Sequence, residues 1–166
     1  MPPVLAFIGK PGCGKTTLIE KLIPALARHG VRTGTIKHHH GPIEMDTPGK
    51  DTWRHMQAGA RAVLISSPAG IGFIQKTTKD TPVKSLVRSY FDHVDLVFLE
   101  GYKQEKLPKI EVFRSTLYET PLEDPGETLI AVVSDVRIRP ACVWFKPDDT
   151  EPLVSFILEK IVAPHD

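Results

Sequence analysis

Apolar positions along this chain switch between two spacings, and the switches mark its elements. Val4 to Ile8 is an unbroken apolar run closed by glycine, the pattern of a strand buried on both faces. From Thr16 onward Leu18, Ile19, Leu22, Ile23 and Leu26 recur at helical spacing, and Gly30 supplies a stop. Pro24 falls inside that helix, where it removes a backbone donor and crowds the carbonyl of Glu20, so a kink is expected. Thr35 to His38 predicts a second strand, and Trp53, Met56 and Ala60 predict a short helix. Two β-rich runs, Ala62 to Ser66 and Ile71 to Gln75, flank Pro68, Ala69 and Gly70 and predict a hairpin. Thr81 and Pro82 open a helix with Val83, Leu86, Val87 and Tyr90 on one face. Val94 to Leu99, Ile110 to Phe113, Leu129 to Val133 and Cys142 to Phe145 predict further strands. A last helix from near Thr150 is expected to bury Leu153, Phe156, Ile157 and Ile161. Strands alternating with helices predict an α/β protein with a mostly parallel sheet flanked by helices and an added β-hairpin.

Composition narrows the field without deciding it. At 166 residues, one domain spanning 1–166 is expected. The net charge of +1 argues against a nucleic-acid coat, whose footprint is a strong basic excess. No apolar run approaches the roughly 18 residues of a membrane span. The opening MPPVLAFIGK lacks the charged region and long apolar stretch of a signal peptide, so a cytoplasmic protein is expected. Cys13 and Cys142 can form at most one bridge, which excludes a disulfide scaffold.

Residues 9–17 read GKPGCGKTT, a full phosphate-loop motif lying between a predicted strand and a predicted helix. Gly9, Gly12 and Gly14 let the backbone curl so that its N–H groups face phosphate oxygens. Cys13 occupies a variable place in the loop and Thr17 follows it into the helix. Lys15 is placed for the β- and γ-phosphates and the Thr16 hydroxyl for Mg²⁺. The fold is therefore expected to be P-loop NTPase-like.

Such a loop needs a carboxylate at the end of a neighbouring buried strand. LVFLE supplies Glu100, whereas Asp95 begins the same strand and lies at the wrong end. Asp46, in the polar stretch after the second strand, is a loop carboxylate for Mg²⁺ or for the attacking water. Of the histidines in KHHH, His38 and His40 share one face of an extended segment. With Asp46 or Glu44 they offer transition-metal ligands, and the plainer alternative is that they line a loop beside the phosphates. Ser134 and Asp135 close the strand at Leu129, where ligands of open α/β sheets bind. An aspartate there can accept from guanine N1–H and N2–H₂, although the N-K-x-D pattern of guanine readers is absent, and helix capping is the other reading.

Together LAFIGKPGCGKTTLIEKLIPALARHG, IKHHH, DTPGKD, QAGA, LVFLEGYK and AVVSD resemble the molybdopterin-guanine dinucleotide biosynthesis adapter family, MobB. The resemblance runs in order through most of the chain. It implies a GTP-binding, Mg²⁺-dependent P-loop protein of the dimeric metal-chaperone and signal-recognition type, acting as a homodimer. It also implies a partner, the molybdenum cofactor guanylyltransferase that joins GMP to molybdopterin, with molybdopterin itself a further candidate ligand. Site residues carried over are the loop Gly9 to Thr17, Asp46, Glu100 with Gly101, and the Ser134–Asp135 pair.

Under that reading Lys15, Asp46 and Glu100 carry the chemistry, with Thr16, Asp46 and Glu100 toward the metal. Hydrolysis is expected to be slow, because no residue is an evident arginine finger. Arg114 and Lys109 adjoin the predicted strand at Ile110 to Phe113 and are the two basic candidates. Two alternatives use the same motif: a small-molecule kinase, which usually carries an arginine-rich lid that Pro68 to Pro82 lacks, and a metal-delivery GTPase built on His38 and His40.

Overall fold

The apolar run Val4–Ile8 is strand β1, buried along its whole length. The computed structural model describes residues 1–39, 41–43 and 45–163. Contacts divide the chain into two units, Met1–His38 with Leu86–Asp166, and His39–Ser85.

In the first unit, β2 (Thr33–Lys37), β5 (Leu96–Glu100), β6 (Lys109–Phe113), β7 (Leu129–Ser134) and β8 (Val143–Phe145) join β1. The sheet has the order β2-β5-β1-β6-β7-β8, and every pairing in it is parallel. β1 therefore lies between β5 and β6, neither of which is its neighbour in sequence. Parallel pairing puts the C-terminal ends of all these strands on one edge, the edge that carries Glu100, Ser134 and the loop after β1.

Helix α1 (Lys15–Arg28) follows β1 directly and buries Leu18, Ile19, Leu22, Ala25 and Leu26 in the shared core. Each large side chain so buried contributes about 1.5–3 kcal/mol. The helix runs through Pro24 as one element and closes with the Gly30 N–H donating to the Ala27 carbonyl. The terminal helix α4 (Thr150–Ile157) passes into a π-helical turn at Leu158–Val162. It buries Val154 as well as Leu153 and Ile157, whereas Phe156 is half-buried against the Phe145 ring at 5.5 Å.

The second unit holds α2 (Asp51–Gln57) and the antiparallel hairpin of β3 (Ala62–Ser67) and β4 (Gly70–Gln75). Lys76 Nζ donates to the Met56 carbonyl, tying the hairpin's exit to α2. Helix α3 (Val83–Tyr90) follows. Along its face Val83 and Val87 are buried, and Tyr90, at the last turn, is 44% exposed. Phe91, just past α3, has its ring where a side chain on Gly34 of β2 would stand, 2.4 Å from the position of its Cβ. Among the described residues, no helix is long and apolar enough to cross a membrane.

Candidate functional site

The loop after β1 passes so close to β6 that Gly9 admits no side chain: a Cβ there would lie 2.3 Å from the Val112 carbonyl oxygen. Gly14 takes the N-cap place of α1 in a left-handed conformation, with φ +96°, and no side chain caps the helix. The first-turn amides of Lys15, Thr16 and Thr17 thus have no intrahelical acceptor, and the helix dipole adds partial positive charge at the same end. Donors converging on one point make an anion site. Lys15 Nζ folds back over the loop, donating to the carbonyls of Gly9 at 3.0 Å and Lys10 at 2.9 Å. Gly12 is exposed on the outer loop, whereas the Cys13 side chain is buried beneath it as a free thiol in the core cluster. Cys13 thus offers its backbone to the loop's concavity, and its side chain packs.

Across the β1–β5 edge the Thr16 hydroxyl meets both carboxylate oxygens of Glu100 at 3.0 Å. Lys37 Nζ, from the end of β2, lies 3.4 Å from Glu100 Oε1. A hydroxyl and a carboxylate converging at a strand end are hard oxygen donors and suit Mg²⁺. Asp95, at the far end of β5, accepts instead from the Arg32 guanidinium and backbone, which hold its carboxyl well below the usual carboxylate range.

Ser134 and Asp135 separate into two roles. The Ser134 side chain is fully buried, donates to the Val136 carbonyl and accepts from Trp144 Nε1 at 3.0 Å. Its hydroxyl is spent on the fold. Asp135 is exposed and accepts from the Ser115 backbone N–H at 2.9 and 3.1 Å and from its hydroxyl at 2.8 Å. The Ser115 amide, foremost, holds this carboxyl below its ordinary range, with the Arg114 charge a lesser cause.

Asp46 belongs to the second unit. Its Oδ1 accepts from Thr47 N and Thr52 Oγ1, while Oδ2 is buried with no hydrogen-bond partner among the described residues. An orphaned carboxylate oxygen is costly unless a cation or donor meets it, so Asp46 keeps an acceptor in reserve. His38 packs its ring on Tyr102, centroids 4.8 Å apart. His40 and Glu44, two of the candidate metal ligands, lie outside the described residues. Among the described residues no group of three His, Cys, Asp or Glu side chains is placed to hold a metal ion.

Residues 114–120, downstream of β6, brace the loop from its outer side, which the sequence pattern did not reveal. Tyr118 donates its hydroxyl to the Pro11 carbonyl at 2.6 Å, and Lys10 Nζ donates to the Thr120 carbonyl at 2.7 Å. Of the two basic candidates, Arg114 stands beside Gly14, whereas Lys109 is buried with its Nζ on the Lys103 carbonyl. An arginine following the strand beside the phosphate-loop strand was the available clue.

The family model described as Molybdopterin guanine dinucleotide synthesis protein B, MobB, matches residues 4–135. The chain belongs to the MobB family. The matched span contains the loop, Asp46, Glu100 and Asp135 and ends before β8. The chain is 36% identical over 163 residues to the molybdopterin-guanine dinucleotide biosynthesis adapter protein of Escherichia coli, covering 96% of this chain and 93% of that one. It is 38% identical over 139 residues to the protein of the same name from Haemophilus influenzae, covering 82% and 77%. A crystal structure of a MobB protein superposes with a TM-score of 0.73 at 27% identity, over 94% of this chain and 98% of that one. The P-loop NTPase-like sheet with its extra hairpin is thus a MobB fold.

Proposed function

We propose that this chain is a GTP-binding adapter in molybdopterin guanine dinucleotide biosynthesis, working in the cytoplasm with the molybdenum cofactor guanylyltransferase. The observation that carries the nucleotide reading is the uncapped, glycine-opened start of α1 with the Thr16–Glu100 pair beside it. Loop amides take phosphate oxygens, and Lys15 turns its ammonium from the Gly9 and Lys10 carbonyls to the β- and γ-phosphates. Thr16 and Glu100 hold Mg²⁺, which neutralises phosphate charge when bound. Slow hydrolysis suits an adapter, whose nucleotide state has to outlast an encounter with its partner.

A homodimer is part of this reading. On one face of the hairpin Leu64 and Ile71 are 57% and 73% exposed. A lone two-stranded sheet is marginal in water, and a second copy covering that face would remove both liabilities.

Asp135 supplies the base preference, and for this Ser115 Oγ must release one carboxylate lone pair to guanine. Calorimetry with GTP and ATP on the wild type and on Asp135→Ala tests the assignment. The wild type is expected to favour GTP, and the variant to lose roughly two to four orders of magnitude in GTP affinity with ATP unaffected, the range of two hydrogen bonds to a charged group. Because the folded Asp135 carboxyl titrates below its ordinary value, the acceptor form persists as pH falls until that lowered value is crossed. The GTP preference should accordingly be flat from about pH 5 to about pH 8, well above an ordinary Asp pKa of about 3.9. Equal affinity for GTP and ATP in the wild type would remove Asp135 from the site.

A further inference from the structure

Arg114, beside the loop, is used by neither the phosphate-loop motif nor any side-chain hydrogen bond or ion pair of the fold among the described residues. Its guanidinium lies against the start of α1: Nη2, Nε and Cζ are 3.4, 3.6 and 3.9 Å from where a Cβ on Gly14 would stand. Among the described residues this half-buried group donates no hydrogen bond and makes no ion pair. Two carboxylates feel its charge, Asp135 and Asp148, yet each is engaged elsewhere. Asp135 accepts from Ser115, and Asp148 accepts from Lys21 at 2.9 Å. A guanidinium with all its donors unspent, facing a cluster of convergent amides, is arranged for an anion that is not a side chain.

Its backbone is fixed in advance. The Arg114 carbonyl accepts from the amides of Leu117 and Tyr118, and the Tyr118 hydroxyl ties that turn to the Pro11 carbonyl in the loop. Strand order then sets which part of a ligand it reaches. Glu100, with Thr16, stands on the β5 side of β1, while Arg114 follows β6 on the opposite side, next to Ser115 and Asp135. An extended nucleotide with its outer phosphates near Thr16 and its base at Asp135 brings its α-phosphate between them.

We propose that Arg114 binds the α-phosphate of the nucleotide, supplied in cis as a recognition residue. It is no arginine finger on the γ-phosphate. The inference rests on the nucleotide reading above and adds a contact that the loop motif does not include. Gly14 has a second role under it, since any side chain there would crowd the guanidinium.

The test measures GDP and GTP affinity of the full chain by calorimetry, for wild type, Arg114→Ala and Arg114→Lys. Arg114→Ala is expected to weaken both nucleotides by the same factor, about tenfold or more, as for a lost charge-assisted hydrogen bond. Arg114→Lys, which keeps the charge without the fork, should fall between. Phosphorus NMR of bound GDP should show the α-resonance moved in Arg114→Ala and the β-resonance in place. Circular dichroism checks that each variant folds, and if Arg114→Ala does not, Arg114→Lys carries the comparison. GDP affinity retained in the folded variants would overturn the proposal, as would lost affinity with an unmoved α-resonance. If the wild type binds neither nucleotide, the nucleotide reading itself fails, a result distinct from wild-type binding that the variants keep.

Discussion

Lys15→Ala is expected to abolish useful GTP binding while leaving the fold intact. Among the described residues the ammonium reaches only the Gly9 and Lys10 carbonyls and the Cys13 sulfur, all within its own loop. Removing it deletes no contact to another element, so the melting temperature should stay close to wild type. Binding is another matter. Two hydrogen bonds from an ammonium to phosphate oxygens are worth about 1.5–3 kcal/mol each, so affinity should fall by roughly two to four orders of magnitude. Calorimetry with GTP and Mg²⁺, paired with a thermal melt, separates the two effects. A variant that still bound GTP within about threefold of wild type would show that the loop is not the phosphate cradle.

The second large effect is on stability, away from the nucleotide. Glu111, in the middle of β6, is 1% exposed. Its Oε2 accepts from Arg139 Nε at 2.6 Å and its Oε1 from the Leu122 amide at 2.8 Å. Arg139 Nη2 also donates to the Leu122 carbonyl, so three segments distant in sequence are pinned at one point. Arg139→Ala leaves a buried carboxylate with one amide for compensation, which costs about 3–5 kcal/mol. For a chain of this length that corresponds to a fall in Tm of about 6–20 °C. Replacing both partners with apolar residues of similar volume should recover much of the loss, because the penalty lies in the orphaned charge. A melt of Arg139→Ala within about 2 °C of wild type would mean the ion pair is not formed in solution.

Glu111 also shows where sequence reading stops. Ile110 to Phe113 announces a strand through its apolar residues, but a charged residue within it gives no hint that its partner sits 28 residues later. The local elements were legible because each depends on nearby spacing: the run at Val4, the helical repeat from Leu18, and the two β-rich runs around Pro68. Strand order was not legible, since the placing of β1 between β5 and β6 is decided by packing of the whole sheet. Everything that depends on that order was hidden with it, including the approach of Arg114 to Gly14 and the brace from Tyr118 to Pro11. The loop's backbone, by contrast, was readable because Gly9, Gly12 and Gly14 stand at fixed spacing and take positive φ, and the Thr16–Glu100 pair because both end up beside that loop. Ser134 misled for a physical reason. A hydroxyl at a strand's end looks available to a ligand, and only the neighbouring strand's Trp144 turns it inward.

The most direct test of the account is assembly with the partner. Sedimentation of this chain with purified molybdenum cofactor guanylyltransferase, in Mg²⁺ with GTP, with GDP or with no nucleotide, measures whether the loop governs the adapter. The account predicts a complex that forms with GTP, weakens without nucleotide, and is insensitive to GTP in Lys15→Ala. A complex equally strong in all three conditions, or none in any of them, would contradict it.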